Sequence, residues 1–275
     1  MRVAAPARRP IGGIDVNVDS VDRAVRLLRH ARRILVFTGA GISTESGIPD
    51  FRGPNGVWRT RDPARYTLQR YVAESAVRRE RWLDRLESPM DRVEPNAGHL
   101  ASARLQACGR APVVVTQNID GLHQRAGSRD VIELHGTSLE VVCLDCARRL
   151  PVGVVLDRVR EGDEDPHCEL CGGLLKTATI SFGQNLIAED LDRAMAEAED
   201  SDVCLAVGST LSVWPAAGVP VRTVHGGGRL VVVNDGETEL DGMADVIVPG
   251  RVGAMLPPLV DAVIAGSEAE PAGHG

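Results

Sequence analysis

Short, wholly apolar runs alternate with longer amphipathic stretches along this chain, and that alternation sets the fold class. Ile34–Phe37 is apolar at every position, the pattern of a strand buried on both faces. Pro112–Thr116, Val203–Val207 and Arg229–Val233 repeat it, and Val131–Leu134 and Ala244–Val248 are shorter versions. Helical periods separate them. Asp19 or Ser20 can cap a helix reaching about Arg33, with Val21, Val25 and Leu28 on one face. Arg65 to Leu86 reads as helical, its arginines Arg78, Arg79, Arg81 and Arg85 forming a solvated face or bordering a substrate channel. Asn96 suits the N-cap of a helix ending near Cys108-Gly109, with His99 a structural residue in its first turn. Glu189–Asp200 and Val252–Ile264 complete the set. Strand and helix in alternation predict an α/β fold, a Rossmann-like parallel sheet with helices on both faces.

One stretch interrupts the alternation. Cys143-Leu144-Asp145-Cys146 and Cys168-Glu169-Leu170-Cys171 lie about twenty residues apart, the spacing of a tetrahedral thiolate zinc site. Gly172-Gly173 then allows a tight turn. Four sulfurs close the coordination sphere, so the metal is expected to be structural, and His167 is not needed as a ligand. The segment between the pairs, with Asp163, Glu164 and Asp165, reads as an exposed loop, and Lys176–Phe182 alternates like a strand. The expected organisation is a flexible lead-in over 1–18 and a discontinuous sheet domain over 19–136 and 181–265. A small zinc-binding domain fills 137–180, and 266–275 forms a disordered tail.

Composition narrows the function. Hydrophobic residues make up 43% but aromatics only 3%, so the core is aliphatic. A net charge of −7 argues against broad nucleic-acid binding, which needs a basic face. No apolar run is long enough to span a bilayer, and MRVAAPARRPIGG has no secretory h-region. With paired thiols, this points to a reducing, cytoplasmic setting and no membrane partner. Nearly all positive charge is arginine; Lys176 is the sole lysine.

The candidate chemistry sits at strand ends. Ile34–Phe37 runs into Gly39-Ala40-Gly41, whose bare backbone can approach a pyrophosphate. The third glycine of the usual fingerprint arrives late, as Gly47. A long polar loop follows, with Ser43, Asp50 and Arg52. It also holds Phe51 and Trp58, aromatics that a solvated linker does not need. A purely structural Ω-loop is the alternative. Gln117, Asn118, Ile119 and Asp120 follow the strand ending at Thr116. His135-Gly136 ends the next, a position for a general base, although a single histidine is more often structural. Gly208-Ser209-Thr210 and Asn234-Asp235-Gly236 end two more and suit phosphate or ribose.

Together these residues resemble the sirtuin family, the NAD-dependent protein deacylases, of bacterial type. GAGISTESGIPDFRG (39–53), PNAGH (95–99), TQNIDGLH (116–123), HG (135–136), the paired CxxC and GSTL (208–211) stand in family order. The resemblance implies NAD bound between a Rossmann-type domain and a smaller zinc domain. Gly39, Ala40, Gly41, Ser43, Asp50, Phe51, Arg52 and Trp58 would form the cofactor loop. Gln117, Asn118, Ile119 and Asp120 would hold the nicotinamide and its ribose. Gly208, Ser209, Thr210, Asn234, Asp235, Gly236 and Val252 would line the adenosine half. His135 and Asn118 would be catalytic, and Cys143, Cys146, Cys168 and Cys171 would hold Zn2+. Phe182-Gly183 and Val213 would border an acyl-lysine protein or peptide added as a strand.

The implied reaction begins when the acyl oxygen attacks C1′ of the nicotinamide ribose and expels nicotinamide. His135 then takes a proton from a ribose hydroxyl, which attacks the bound acyl group. The products are free lysine, nicotinamide and O-acyl-ADP-ribose. Phe51 and Trp58 would seal the site against water. Gln184 stands where the family commonly has glutamate. No Tyr-x-x-Arg pair of the succinyl- or malonyl-selective type is present; Arg81 and Trp82 occupy that region, so acidic acyl groups are not favoured. The alternatives are a mono-ADP-ribosyltransferase or NAD glycohydrolase on the same scaffold, and a non-catalytic NAD- or ADP-ribose-sensing module.

Overall fold

The strand β1 (Ile34–Thr38) is buried at every position, and its two faces supply two cores. This computed structural model describes residues 18–53 and 56–268. Before β1 runs α1 (Val18–His30); after it come single-turn helices, then α2 (Leu68–Ala73), α3 (Ser75–Glu87) and α4 (Ala97–Ala107). β2 (Val114–Thr116), the short α5 (Leu122–Arg125) and β3 (Val131–Glu133) lead into β4 (Gly136–Cys143). β5 (Arg149–Pro151), α6 (Val152–Arg160) and β6 (Leu175–Thr179) follow. The chain returns through α7 (Ala188–Glu199), β7 (Val203–Val207) and α8 (Gly218–His225). It ends with β8 (Arg229–Asn234), β9 (Val246–Pro249) and α9 (Val252–Glu268).

Six strands form a parallel sheet in the order β3-β2-β1-β7-β8-β9. Ile34 and Val36 join Leu28 of α1, Leu105 of α4 and Val260 of α9 in one core. Leu35 and Phe37 join Ala194 of α7 and Val219 of α8 in the other. The chain leaves β1 toward β2 on one side and returns to pair β7 on the other, so the winding reverses there. Ligand crevices open beyond the carboxyl ends of strands at such a point. Among the described residues, no helix is long and apolar enough to cross a membrane.

A second, antiparallel sheet has the order β5-β4-β6. Its apolar cluster joins Val141 and Leu175 to Val152, Val155, Leu156 and Val159 of α6, and to Trp82 of α3. The segment between the cysteine pairs is therefore not simply the expected exposed loop. It contains β5 and α6, whose four buried apolar residues, Val152, Val155, Leu156 and Val159, recur at helical spacing on one face.

Three further expectations change. The helix expected over 65–86 is broken at Glu74, which is extended (φ −119°, ψ 108°) and accepts two bonds from Arg70 at 2.7 and 2.8 Å. Arg78 and Arg85 do not lie on a solvated face. Arg78 pairs bidentately with Asp165 and donates to the carbonyls of Tyr71 and Val72. Arg85 pairs with Asp91 and donates to the Ser138 carbonyl. Both are buried on α3, which packs through Trp82 against the small sheet's cluster, and a buried guanidinium must find partners. Finally, α9 runs through Glu268, so the first residues of the expected tail are helical; the rest of that tail and nearly all of the expected lead-in lie outside the described residues.

Candidate active site

The crevice at the carboxyl ends of β1 and β7 is bordered by backbone. Gly39 N–H donates to the Val207 carbonyl at 3.1 Å and Gly41 N–H to the Gly208 carbonyl at 2.7 Å. Gly208 has φ +60°, and a Cβ there would meet Ile42 N at 2.4 Å. A Cβ on Gly39 would lie 2.7 Å from the Ser209 side chain. Only glycine permits loops this close, and a crevice walled by backbone suits a pyrophosphate. Gly47, at φ +95°, closes the second single turn of the loop.

Beside the crevice, Ser43 is the hub of a buried network. Its hydroxyl donates to Asp120 Oδ2 at 2.7 Å and accepts from Asn118 Nδ2 at 3.1 Å. Asn118 Nδ2 also reaches the Gly39 carbonyl at 3.2 Å, and Asp120 Oδ1 accepts from Leu122 N–H at 2.9 Å. His99 Nδ1 accepts from Asn96 N–H at 3.3 Å, completing a capping box on α4. Its Nε2 therefore carries the proton and turns toward Ser43, 3.4 Å away. Burial pushes His99 down to about 4 and His123, stacked edge-on against it, down to about 3. Both rings are neutral struts near pH 7.

His135 lies at the end of β3, half-buried. Its Nδ1 meets the Gln117 carbonyl at 2.9 Å. A carbonyl only accepts, so Nδ1 holds the ring proton and Nε2 is left with its lone pair. Burial holds the ring below the usual imidazole range, against the opposing pull of that carbonyl. Both features suit a base at neutral pH. Gln117 Nε2 reaches across to Ser209 Oγ at 2.8 Å, linking the two halves of the crevice.

The loop after Gly47 closes on itself. Asp50 accepts from Gly53 N–H at 2.9 Å, and its carbonyl accepts from Val57 N–H at 2.8 Å. Phe51 stacks on Trp58 with centroids 5.3 Å apart; Trp58 also meets Tyr66 at 5.1 Å and Phe182 at 5.7 Å. Arg52 is exposed. The third group is more dispersed. Ser209 is half-buried and Thr210 exposed, with its hydroxyl 2.9 Å from Ser212. Asn234 bonds the Gly236 carbonyl at 2.8 Å and Asp235 is exposed. The Val252 side chain is buried in the core, close beside Gly98.

The sulfur atoms of Cys143, Cys146, Cys168 and Cys171 all lie within 4.8 Å of one another. Four convergent thiols fit a tetrahedral zinc ion, and no position is left for a reactive water. His167 turns instead to the Gly172 carbonyl at 2.8 Å.

The Sir2 family model matches residues 39–215, spanning both loops and the thiol cluster. The chain belongs to the Sir2 family. It is 46% identical over 232 residues to NAD-dependent protein deacetylase 2 of Streptomyces coelicolor, covering 82% of this chain and 96% of that protein. It is 40% identical to an NAD-dependent protein deacetylase of Rhodopseudomonas palustris over 87% of this chain and 96% of that one. Among solved structures, a Sir2 enzyme with a deacetylated p53 peptide and 3′-O-acetyl ADP-ribose superposes with TM-score 0.81 at 36% identity, covering 89% and 97% of the two chains. A Sir2–p53 peptide–NAD+ complex gives 0.79 at 36% identity, covering 88% and 97%.

Sequence reasoning missed several residues. Glu45 accepts from Gly253 N–H at 2.5 Å and pairs with Arg251 at 2.9 Å, tying the glycine loop to the start of α9. His123 is read only as part of a motif, and its bond to Thr38 at 2.9 Å joins α5 to the end of β1. Tyr66, with Phe182 of the expected peptide rim, completes an aromatic cluster around Trp58 that spacing alone does not reveal.

Proposed function

We propose that this sirtuin is an NAD-dependent protein-lysine deacetylase that transfers the acyl group to ADP-ribose and releases nicotinamide. The observation that carries the reading is His135, held by a carbonyl with Nε2 free, beside the Asn118–Ser43–Asp120 network. Bound NAD supplies an anomeric carbon with nicotinamide as leaving group. The chain's residues do the rest. Gly39, Gly41 and Gly208 admit the pyrophosphate. Ser43 fixes Asn118 and Asp120 so that their remaining polar atoms are presented in one orientation, without reorganisation during reaction. His135 Nε2 accepts a hydroxyl proton while Nδ1–H stays on Gln117. Phe51, Trp58 and Phe182 exclude water while the bond to nicotinamide breaks, when it would hydrolyse the cofactor; one water is consumed later, as the lysine amine leaves and the acyl group is completed on ADP-ribose. The four thiols would hold zinc as a structural ion beside β4 and β6; His135 directly precedes β4, and the exposed Phe182-Gly183 rim, where an acyl-lysine peptide adds as a strand, follows β6.

Residues 137–180, with α3 packed against them, form the zinc unit of this reading. Four thiols that converge as a metal site requires, with all six cysteines free, support a cytoplasmic enzyme. The test is a panel of acyl-peptides with NAD, read by product mass. Acetyl-lysine peptide should give O-acetyl-ADP-ribose. NAD loss at the same rate without peptide would support a glycohydrolase instead.

A further inference from the structure

Of the 31 basic residues counted as lysine or arginine, only Lys176 is lysine. It is 3% exposed, on β6. Among the described residues, no ion pair joins it to a carboxylate. Its Nζ donates to two carbonyls of its own strand, Thr177 at 3.2 Å and Thr179. The charge that acts on it is of like sign, Arg81 of α3, which together with burial holds the amine down at about 8. A buried cation without a counter-ion is costly.

β4 and β6 lose regular register between Gly136 and Val141. In this irregular stretch the ammonium takes up the β6 carbonyls. Next to them Gly136 pairs with Thr179, and Ile180 N–H donates to the His135 carbonyl at 2.8 Å. The strands are so close that a Cβ on Gly136 would lie 2.1 Å from the Ala178 oxygen. The end of β6 therefore locates the His135 backbone, and Lys176 ties the end of β6. A planar guanidinium cannot converge its fork on two carbonyls of one strand as a compact ammonium with three rotatable donors does.

We infer that Lys176 is a positioning residue for His135, acting through Thr179 and Ile180. The inference rests on His135 being the general base of the proposed reaction. That base acts after nicotinamide has left, so two readouts on one sample separate the steps. Exchange of labelled nicotinamide into NAD, with acyl-peptide present, reports the first; O-acyl-ADP-ribose formation reports the second. In the zinc-loaded full chain, Lys176→Met should lower kcat for product by about ten- to a hundredfold. KM values should stay within about twofold and exchange should be retained, because uniform binding is untouched. Lys176→Arg, whose fork cannot meet both carbonyls, should leave the product rate lowered. An equal fall in exchange and product overturns the inference, as does an unchanged product rate. If Lys176→Met does not fold, Lys176→Gln, which keeps an NH2 but no charge, is read by the same criteria. His135→Ala is the reference. If it keeps full product formation, the reading of His135 fails whatever Lys176 does.

Discussion

Gly41→Ala puts one methyl group where the two crevice loops meet. The added carbon would lie 2.7 Å from the Gly208 oxygen, 2.9 Å from its Cα and 3.0 Å from its carbonyl carbon. All three are backbone atoms and cannot rotate away. Comfortable carbon contacts begin near about 3.5 Å, so the loops must part by roughly 0.5–1 Å. That stretches the Gly41–Gly208 hydrogen bond, now 2.7 Å. Overpacking of this kind costs about 1–3 kcal/mol, and weakening a buried hydrogen bond adds about 1 kcal/mol. A displacement near 1 Å can cost on the order of a hundredfold in rate. The KM for NAD should rise about tenfold or more, with the denaturation midpoint lowered in step. Gly153→Ala in α6 is the control: a Cβ there meets nothing within 4 Å, and the change should be neutral or stabilise by about 0.5–1 kcal/mol. Wild-type NAD affinity and stability in Gly41→Ala would refute the claim that this cradle is closed to side chains.

Asp165→Asn leaves the buried Arg78 guanidinium without its carboxylate and should cost about 3 kcal/mol by denaturant titration. Acid should unfold the protein through His99 and His123. Their folded values, about 4 and about 3, lie below the ordinary 6.5, so their contribution is complete above about pH 6.5 and is lost as pH falls toward those values. A denaturant midpoint independent of pH across that window would contradict this. With His135 held below the usual imidazole range, the acid limb of kcat/KM should fall below about pH 6.5. Thiol titration of the zinc-loaded protein should find Cys108 alone reactive, then the four clustered thiols after chelation, with Cys204 reacting only on unfolding.

The main sheet was legible because its strands are parallel and buried on both faces: Val203–Val207 is apolar throughout and has the expected bounds. The thiol cluster was legible because CxxC spacing is set by metal geometry. The small sheet was not. β5 has three residues, too few for a period, and the acidic run at 163–165 drew the whole segment toward a loop reading. Yet Val152, Val155, Leu156 and Val159 carried a clear helical period. Arg78 and Arg85 look like surface charge in a sequence because their partners, Asp165 and the Ser138 carbonyl, are distant along the chain. The Ser43 hub likewise joins three separate segments, 39–43, 96–99 and 118–122, which no local pattern encodes.

The most direct test of the account is NAD and an acetyl-lysine peptide incubated with the wild-type chain and with His135→Ala, resolved by mass. The wild type should form O-acetyl-ADP-ribose in step with peptide deacetylation, and the variant should form none while still binding NAD. Product from His135→Ala at the wild-type rate, or ADP-ribose released by the wild type without acylated peptide at that same rate, would contradict it.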